Sequence, residues 1–123
     1  MADDQQELRE YVINKIGEDG QPVPDKSSEN YTGKAQVQYP NGDQYDGDFK
    51  NGIREGEGTM VYGESGNKYE GQWKNNLKDG IGKMTFGTDI KYTGHFSQGK
   101  RYGEEFINIW KQKIYIAVVV KMD

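Results

Sequence analysis

Residues 45–103 read YDGDFKNGIREGEGTMVYGESGNK, then YEGQWKNNLKDGIGKMTFGTDIK, then YTGHFSQGKRYG. Each copy opens on a tyrosine, at Tyr45, Tyr69 and Tyr92, so the spacing is 24 and then 23 residues. Further columns of the alignment hold only glycine or only aromatic residues: Gly47, Gly71 and Gly94; Phe49, Trp73 and Phe96; Gly56, Gly80 and Gly103. A period of this length is typical of proteins built from stacked, similar structural units.

Within each copy the side-chain pattern alternates as it does in β-strands. In residues 45–49 the odd positions are aromatic or glycine and the even positions are acidic. In residues 56–62 the even positions are glycine, methionine or tyrosine. Because successive side chains of a strand point to opposite faces, each copy predicts a β-hairpin with one aromatic and glycine-rich face. Turn dipeptides such as Asn51-Gly52 stand where the strands must reverse.

The glycines in these strands call for a physical reason, since glycine weakens a strand. We expect each glycine to leave a slot in which an aromatic ring lies flat against the neighbouring backbone. On this interpretation the repeated rings form the core. The alternative is that they line a partly exposed groove that binds a ligand or a partner.

Composition limits the class of protein. Only 33% of the 123 residues are hydrophobic, which disfavours a thick two-layer core and favours units that pack on their neighbours. The chain has no cysteine and therefore no disulfide framework or thiolate metal site. A net charge of −4 argues against a dedicated nucleic-acid-binding protein. The acidic start MADDQQEL is unlike a signal peptide, and no apolar run is long enough to span a bilayer, so we expect an intracellular protein.

The columns together resemble the MORN (membrane occupation and recognition nexus) repeat over residues 31–105. Two copies are complete, with a half copy before them and a partial copy after. Asn76, Asp89, Ala35 and Glu105 stand where the pattern has glycine. The resemblance implies an all-β fold, an elongated, twisted, single-layer antiparallel sheet of consecutive hairpins. It also implies protein–protein scaffolding or, for some members of the family, association with acidic phospholipids.

We divide the chain into an N-terminal segment and linker (1–30), the repeat array (31–105), and a C-terminal cap or docking segment (106–123). In the first, Leu8, Tyr11, Val12 and Ile16 have helical spacing, although YVINKI is also rich in β-formers. We favour a short N-terminal helix and keep a strand as the alternative. Residues 17–30, with Pro22 and Pro24, indicate a linker or long loop.

The C-terminal segment departs from the repeat. Its β-branched run, residues 114–120, would be hazardous as an unpaired exposed strand. One interpretation is a terminal strand or helix that closes the array, as repeat proteins need caps. The other is a segment that docks onto a partner protein.

Two sets of candidate binding residues follow. The candidates for partner contact are the aromatic column and the C-terminal anchors: Tyr45, Phe49, Tyr69, Trp73, Tyr92, Phe96, Phe106, Ile109 and Trp110. The candidates for phospholipid contact are the cations at the first turn of each unit: Lys50, Arg54, Lys74, Lys78, Lys100 and Arg101. Such a stripe could meet anionic headgroups, or it could simply keep the edge of the array soluble.

Nothing in the sequence predicts catalysis, a cofactor or a metal. His95 is the only histidine and stands at a polar-face position, so we interpret it as a surface residue. Asp43, Asp46 and Asp48 lack the spacing of a calcium loop, and no helix follows the Gly-x-Gly pairs to present its N-terminus to a phosphate.

The sequence therefore predicts a non-catalytic scaffold or adaptor. Short chains of this kind resemble the MORN proteins of cilia and flagella, including those of the radial-spoke head. That resemblance implies protein partners in an axonemal, cytoskeletal assembly, with self-association through an open sheet edge compatible with it. A membrane tether that binds acidic phospholipid and a regulatory domain of a longer enzyme are the alternatives.

Overall fold

The protein is described here by a computed structural model that covers residues 10–87, 90–109 and 114–120, with side chains over 10–87, 90–91 and 93–101. Throughout these residues the regular elements are strands. In chain order they are β1 (Val12–Ile16), β2 (Pro22–Asp25), β3 (Gly33–Gln38), β4 (Gln44–Lys50), β5 (Ile53–Val61), β6 (Lys68–Lys74), β7 (Leu77–Phe86), β8 (Ile90–Ser97), β9 (Lys100–Ile109) and β10 (Ile114–Val120).

All ten strands belong to one open sheet in the order β10-β9-β8-β7-β6-β5-β4-β3-β1-β2. Every neighbouring pair is antiparallel. From β3 to β10 the chain simply runs back and forth, and each repeat supplies successive strands of this meander. The all-β, single-layer antiparallel fold predicted from the sequence is confirmed.

The preference for an N-terminal helix is wrong over the described residues. Val12–Ile16 form strand β1, which inserts between β2 and β3 and pairs Ile13 with Val37. Ile13 is fully buried there. Its β-branched side chain suits a strand that covers the otherwise open edge of β3. Leu8, which contributed to the helical spacing, lies outside the described residues.

Part of the presumed linker is also structured. Pro22–Asp25 form β2, which pairs with β1, so the interpretation of residues 17–30 as only a linker or loop is wrong at this point. Proline cannot donate to a neighbouring strand, and prolines in sheets are therefore confined to edge strands such as this one. At the other end, β9 runs through the proposed boundary after Glu105 and pairs with β8 and β10.

The two faces of the sheet differ as the alternation predicts. One face, hereafter the aromatic face, carries the core, in which Ile13 and Ala35 join the repeat residues Tyr45, Phe49, Met60, Tyr69, Trp73, Met84 and Phe96. The opposite face, hereafter the polar face, carries the intervening residues, such as Gln36, Asp46 and Glu70. A single layer thus buries its rings against its own backbone.

The glycine slots predicted from the sequence are present. The ring of Tyr45 lies against Gly58, where an added Cβ atom would overlap the ring, and a Cβ atom at Gly47 would overlap the backbone of the neighbouring strand and crowd the Tyr45 hydroxyl. The Tyr45 hydroxyl donates a hydrogen bond to the carbonyl of Asp48 at 2.9 Å. Tyr69 repeats this arrangement over its own pair of glycines, with its hydroxyl 2.8 Å from the carbonyl of Gln72.

Candidate functional site

A continuous chain of aromatic contacts crosses the aromatic face from one repeat to the next. Phe49 meets Tyr45 edge-to-face with ring centres 5.3 Å apart, and Tyr45 meets Trp73 at 5.4 Å. Trp73 then meets Tyr69 at 5.2 Å, and Tyr69 meets Phe96 at 5.1 Å. Edge-to-face pairs at these distances add stabilisation beyond the burial of area. The rings therefore form a continuous floor, hereafter the ring floor.

Hydrogen bonds also join neighbouring units to one another, three of them at the first turns. The backbone N–H of Gly52 donates to the carbonyl of Tyr31, that of Asn76 to Arg54, and that of Gly99 to Lys78. The Trp73 indole N–H donates to the Gly58 carbonyl of the preceding hairpin at 3.0 Å. These bonds repeat at the period of the sequence.

Each repeat also places one cation on the aromatic face, directly opposite the second aromatic residue of its hairpin. The pairs are Phe49 with Arg54, Trp73 with Lys78, and Phe96 with Arg101. The register between the two strands of these hairpins shifts beside Gly56 and Gly80, which both have positive φ. The resulting bulge brings the cation over the rings.

Arg54 is held by rings and by two hydrogen bonds of its own chain, whereas its Nε atom is buried without a hydrogen-bond partner among the described residues. Its guanidinium carbon lies 5.1 Å from the ring centre of Trp73 and 5.5 Å from that of Tyr39. It donates to the Tyr39 hydroxyl at 2.7 Å and to the Asn76 carbonyl at 2.9 Å. A pocket of about 370 Å³, lined in part by Met60 and Asp43, opens beside it. Arg54 therefore has a structural role.

Lys78 is half-buried over three rings. Its ammonium nitrogen lies 5.4 Å from the ring centre of Phe96, 5.6 Å from that of Tyr69 and 5.7 Å from that of Tyr62. Burial, followed by the positive charge of Arg101, lowers the pKa of Lys78 from its ordinary value of 10.5. The site is thus electropositive and rests on an apolar floor.

The predicted partner-binding residues occupy two kinds of position. Five of them are buried members of the ring floor: Tyr45, Phe49, Tyr69, Trp73 and Phe96. Tyr92 and Phe106 lie in β8 and β9 and Ile109 ends β9, but their side chains are outside the described set, and Trp110 lies wholly outside the described residues. The partly buried surface above the floor is contributed by other rings, among them Tyr31, Tyr39, Tyr62 and Phe86.

The six candidate residues for phospholipid contact lie on two different faces of the sheet. Lys50 and Lys74 are exposed on the polar side of the first turns, with Lys50 4.0 Å from the Glu55 carboxylate. Lys100 is exposed in β9. Arg54, Lys78 and Arg101 instead lie opposite rings of the aromatic face. The alternation of side chains along the strand already indicated this location. Arg54 is two residues before Gly56, and side chains two residues apart in a strand point to the same face.

The polar face has its own groove over β1, β3, β4 and β5, with a volume of about 550 Å³. It is lined mainly by carboxamide, hydroxyl and valine side chains: Val12, Asn14, Gln36, Gln38, Gln44, Thr59 and Val61. Elsewhere on this face charges are paired, as in Lys34 with Asp48 at 2.7 Å and Lys83 with Glu70 at 3.8 Å.

The described part of the chain offers no cluster of three or more histidine, cysteine, aspartate or glutamate side chains that could hold a metal ion. His95 is exposed on the polar face, opposite Tyr102. Asp48 and Gln72, which precede His95 in the same column, accept the backbone N–H groups of Glu57 and Ile81 at the bulges. In the same described residues, no helix is long and apolar enough to cross a membrane.

Comparison with known proteins identifies the repeated unit. The family model of the MORN repeat matches three consecutive stretches, residues 45–66, 69–89 and 92–104. No curated protein matches the chain with significant similarity. MORN repeats are in general non-catalytic modules that mediate contacts with proteins or phospholipid membranes.

Proposed function

We propose that this chain, with its three consecutive MORN repeats, is a non-catalytic scaffold that binds another protein through the aromatic face. The supporting observation is the ring floor that joins the repeats and carries half-buried cations above it. Aromatic residues and arginine are enriched where proteins bind one another. A ring floor that is already packed also reduces the entropy that ordering the interface would cost.

The setting that we propose is a ciliary or flagellar assembly of the axoneme, of the radial-spoke type. Its support is the resemblance of short MORN chains to proteins of such assemblies. In this setting the chain is part of the cytoskeleton and its partners are neighbouring subunits. The C-terminal segment 106–123 is the alternative place of contact, since β10 lies at one end of the sheet order.

A capture experiment tests the protein-binding role and assigns it to a region. The full chain is compared with a version that ends at Ile109, because β9 extends to that residue and an earlier end would cut a paired strand. We expect both versions to hold the same set of proteins from ciliated cells. Loss of that set from the shorter version would assign binding to residues 110–123 and contradict recognition by the aromatic face.

A second candidate function is binding to acidic phospholipid, which the exposed lysines at the first turns favour. Lys50, Lys74 and Lys100 are all exposed there, and each cation near an anionic membrane contributes about 1 kcal/mol. This alternative predicts sedimentation with phosphatidylserine vesicles that weakens steeply with salt. It also predicts that reversing the charge of Lys50 and Lys74 abolishes sedimentation. Binding that resists both changes would contradict it.

A further inference from the structure

Two successive repeats place a cation at the same point of the aromatic face, but within the described residues only the first has hydrogen-bond partners for its side chain. Arg54 donates to the hydroxyl of Tyr39 and to the carbonyl of Asn76. In the next repeat Tyr62 takes the place of Tyr39 and Gly99 that of Asn76. The ammonium of Lys78 lies over the Tyr62 ring, and among the described residues it has ring contacts only.

Among the residues whose side chains the structure describes, no carboxylate forms an ion pair with Lys78. A half-buried ammonium group loses hydration, which a contact with ring faces replaces only in part. Burial, followed by the positive charge of Arg101, lowers the pKa of Lys78. By contrast, Lys34 and Lys83 on the polar face have carboxylates within 4 Å.

The geometry around the ammonium fits an anionic group that arrives with apolar neighbours. Tyr69 and Phe96 form the buried floor beneath it, while Tyr62 and Phe86 are partly buried beside it. A carboxylate on a protein segment can meet the cation while the rest of the segment covers the rings. A hydrated phosphate group gains nothing from the rings, and it would find exposed lysines at Lys50 and Lys74 instead.

We propose that Lys78 receives an aspartate or glutamate side chain of the protein partner, so that the bound segment is acidic with apolar neighbours. This inference rests on the proposed protein-binding function and specifies the chemistry of the partner. A carboxylate at Lys78 supplies the charged partner that the described residues do not provide, and it offsets the repulsion that Arg101 exerts on Lys78.

The test is selection of a displayed library of short random peptides on the full chain. We expect the recovered peptides to be enriched in aspartate or glutamate next to aromatic or aliphatic residues. A synthetic peptide of the recovered sequence should bind Lys78→Met about tenfold or more weakly than the unaltered chain, since truncating one partner of a buried charge pair is costly. Lys78→Arg, which keeps the charge, should bind within about threefold.

Matched controls separate binding from folding. Lys74→Met removes an exposed lysine on the polar side of the same hairpin and should leave peptide affinity unchanged. Lys78→Met should unfold at the same or a higher temperature than the unaltered chain, because it removes a charge that is not ion-paired and keeps the packed stem. A marked loss of thermal stability in Lys78→Met would show a structural role and overturn the proposal.

The remaining outcomes distinguish the inference from the function on which it rests. Peptides recovered without acidic residues, or bound equally by Lys78→Met, would overturn the carboxylate site and leave protein binding intact. Recovery of no peptide would contradict protein binding itself and the inference with it. Lys78-dependent binding of phosphatidylserine vesicles or inorganic phosphate, with no acidic peptide bound, would overturn the proposal in favour of a phosphate ligand.

Discussion

Gly82 shows how a single hydrogen atom in place of a side chain permits the ring packing. A Cβ atom there would overlap the Tyr69 ring, and Tyr69 is fully buried. We therefore expect Gly82→Ala to destabilise the protein by about 1–3 kcal/mol, the usual cost of overpacking. Urea unfolding measures the change.

Gly17→Ala is the control for this prediction. The nearest atoms there are a flexible carboxylate and atoms at ordinary contact distance, so its effect should stay within about 0.5 kcal/mol. Equal losses of stability in the two variants would contradict the claim that Gly82 makes room for the Tyr69 ring.

Tyr69 also predicts how stability depends on pH. Burial, followed by nearby acidic groups, raises the pKa of its hydroxyl above the ordinary value of 10.0. The folded protein thus keeps the hydroxyl neutral while the unfolded chain ionises. The stabilisation is complete below pH 10 and is lost as the pH rises from there through the folded pKa, with a slope of about 1.4 kcal/mol per pH unit.

Tyr69→Phe isolates that effect. At pH 7 the substitution should cost about 1 kcal/mol, because it removes the 2.8 Å hydrogen bond to the Gln72 carbonyl. Above pH 10 the free energy of unfolding should fall less steeply with pH in the variant than in the unaltered chain. The difference in slope should be that of one titrating group, about 1.4 kcal/mol per pH unit. Unfolding by urea at a series of pH values gives both quantities. An unchanged slope would show that this hydroxyl already ionises in the folded protein.

At the scale of single residues, the sequence predicted which residues pack in the core but not that Arg54 and Lys78 lie over the rings. The columns of tyrosine, glycine and phenylalanine or tryptophan predicted the slots, because strand parity and ring size leave few other arrangements. The sequence places Arg54 and Lys78 with the other cations of the first turns, because they stand close to the turn residues in the chain. Their parity already placed them on the aromatic face, but the bulge that brings them over rings is set by the backbone at Gly56 and Gly80.

Between elements, the first turns join one hairpin to the next, and Asn76 is the clearest case. It has a positive φ of 68°, which explains how it replaces a glycine of the repeat. Its side-chain oxygen also accepts the Arg54 backbone N–H at 2.8 Å. We expect Asn76→Gly to cost about 1 kcal/mol through that lost bond. Asn76→Ala should cost about 1 kcal/mol more, since alanine is strained at this φ. Urea midpoints rank the two, and the reverse order would refute this explanation.

Strand β1 gives the second prediction between elements. Ile13 is fully buried against β3, so Ile13→Ala should destabilise the protein by about 2–4 kcal/mol. Its neighbour Val12 is 39% exposed and faces the groove on the polar side, so Val12→Ala should change stability by about 0.5 kcal/mol or less. Thermal or urea unfolding of both variants measures the contrast. A larger effect at Val12 would favour the helical spacing over the strand.

The N-terminal strands show where prediction from sequence failed between elements. A strand as short as β1, with five residues, cannot be told from part of a helix by the spacing of its apolar residues alone. What decides the matter is the edge of β3, which would be left open without β1, and that edge is a property of the folded array. The repeat hairpins were predictable because each is closed by a local turn, whereas β1 pairs with β3, which is not the next strand in the chain.

Across the whole molecule, one open sheet presents two chemically different faces to its surroundings. The aromatic face carries the ring floor with Arg54 and Lys78, and the polar face carries paired charges and a groove rich in carboxamides. The single-layer architecture was predicted from the resemblance to the MORN repeat, and composition only disfavoured a two-layer core. The identity of the face that binds a partner was not, since the same residues that form the floor also form the core.

Site-specific photo-crosslinking from the two faces tests this account most directly. A benzophenone amino acid replaces either Tyr62, partly buried beside Lys78 on the aromatic face, or Ile81, which is 54% exposed on the polar face of β7. Illumination in ciliated cells should crosslink a defined protein from position 62 and leave position 81 without that product. Crosslinking of the same protein from position 81 alone would contradict recognition by the aromatic face.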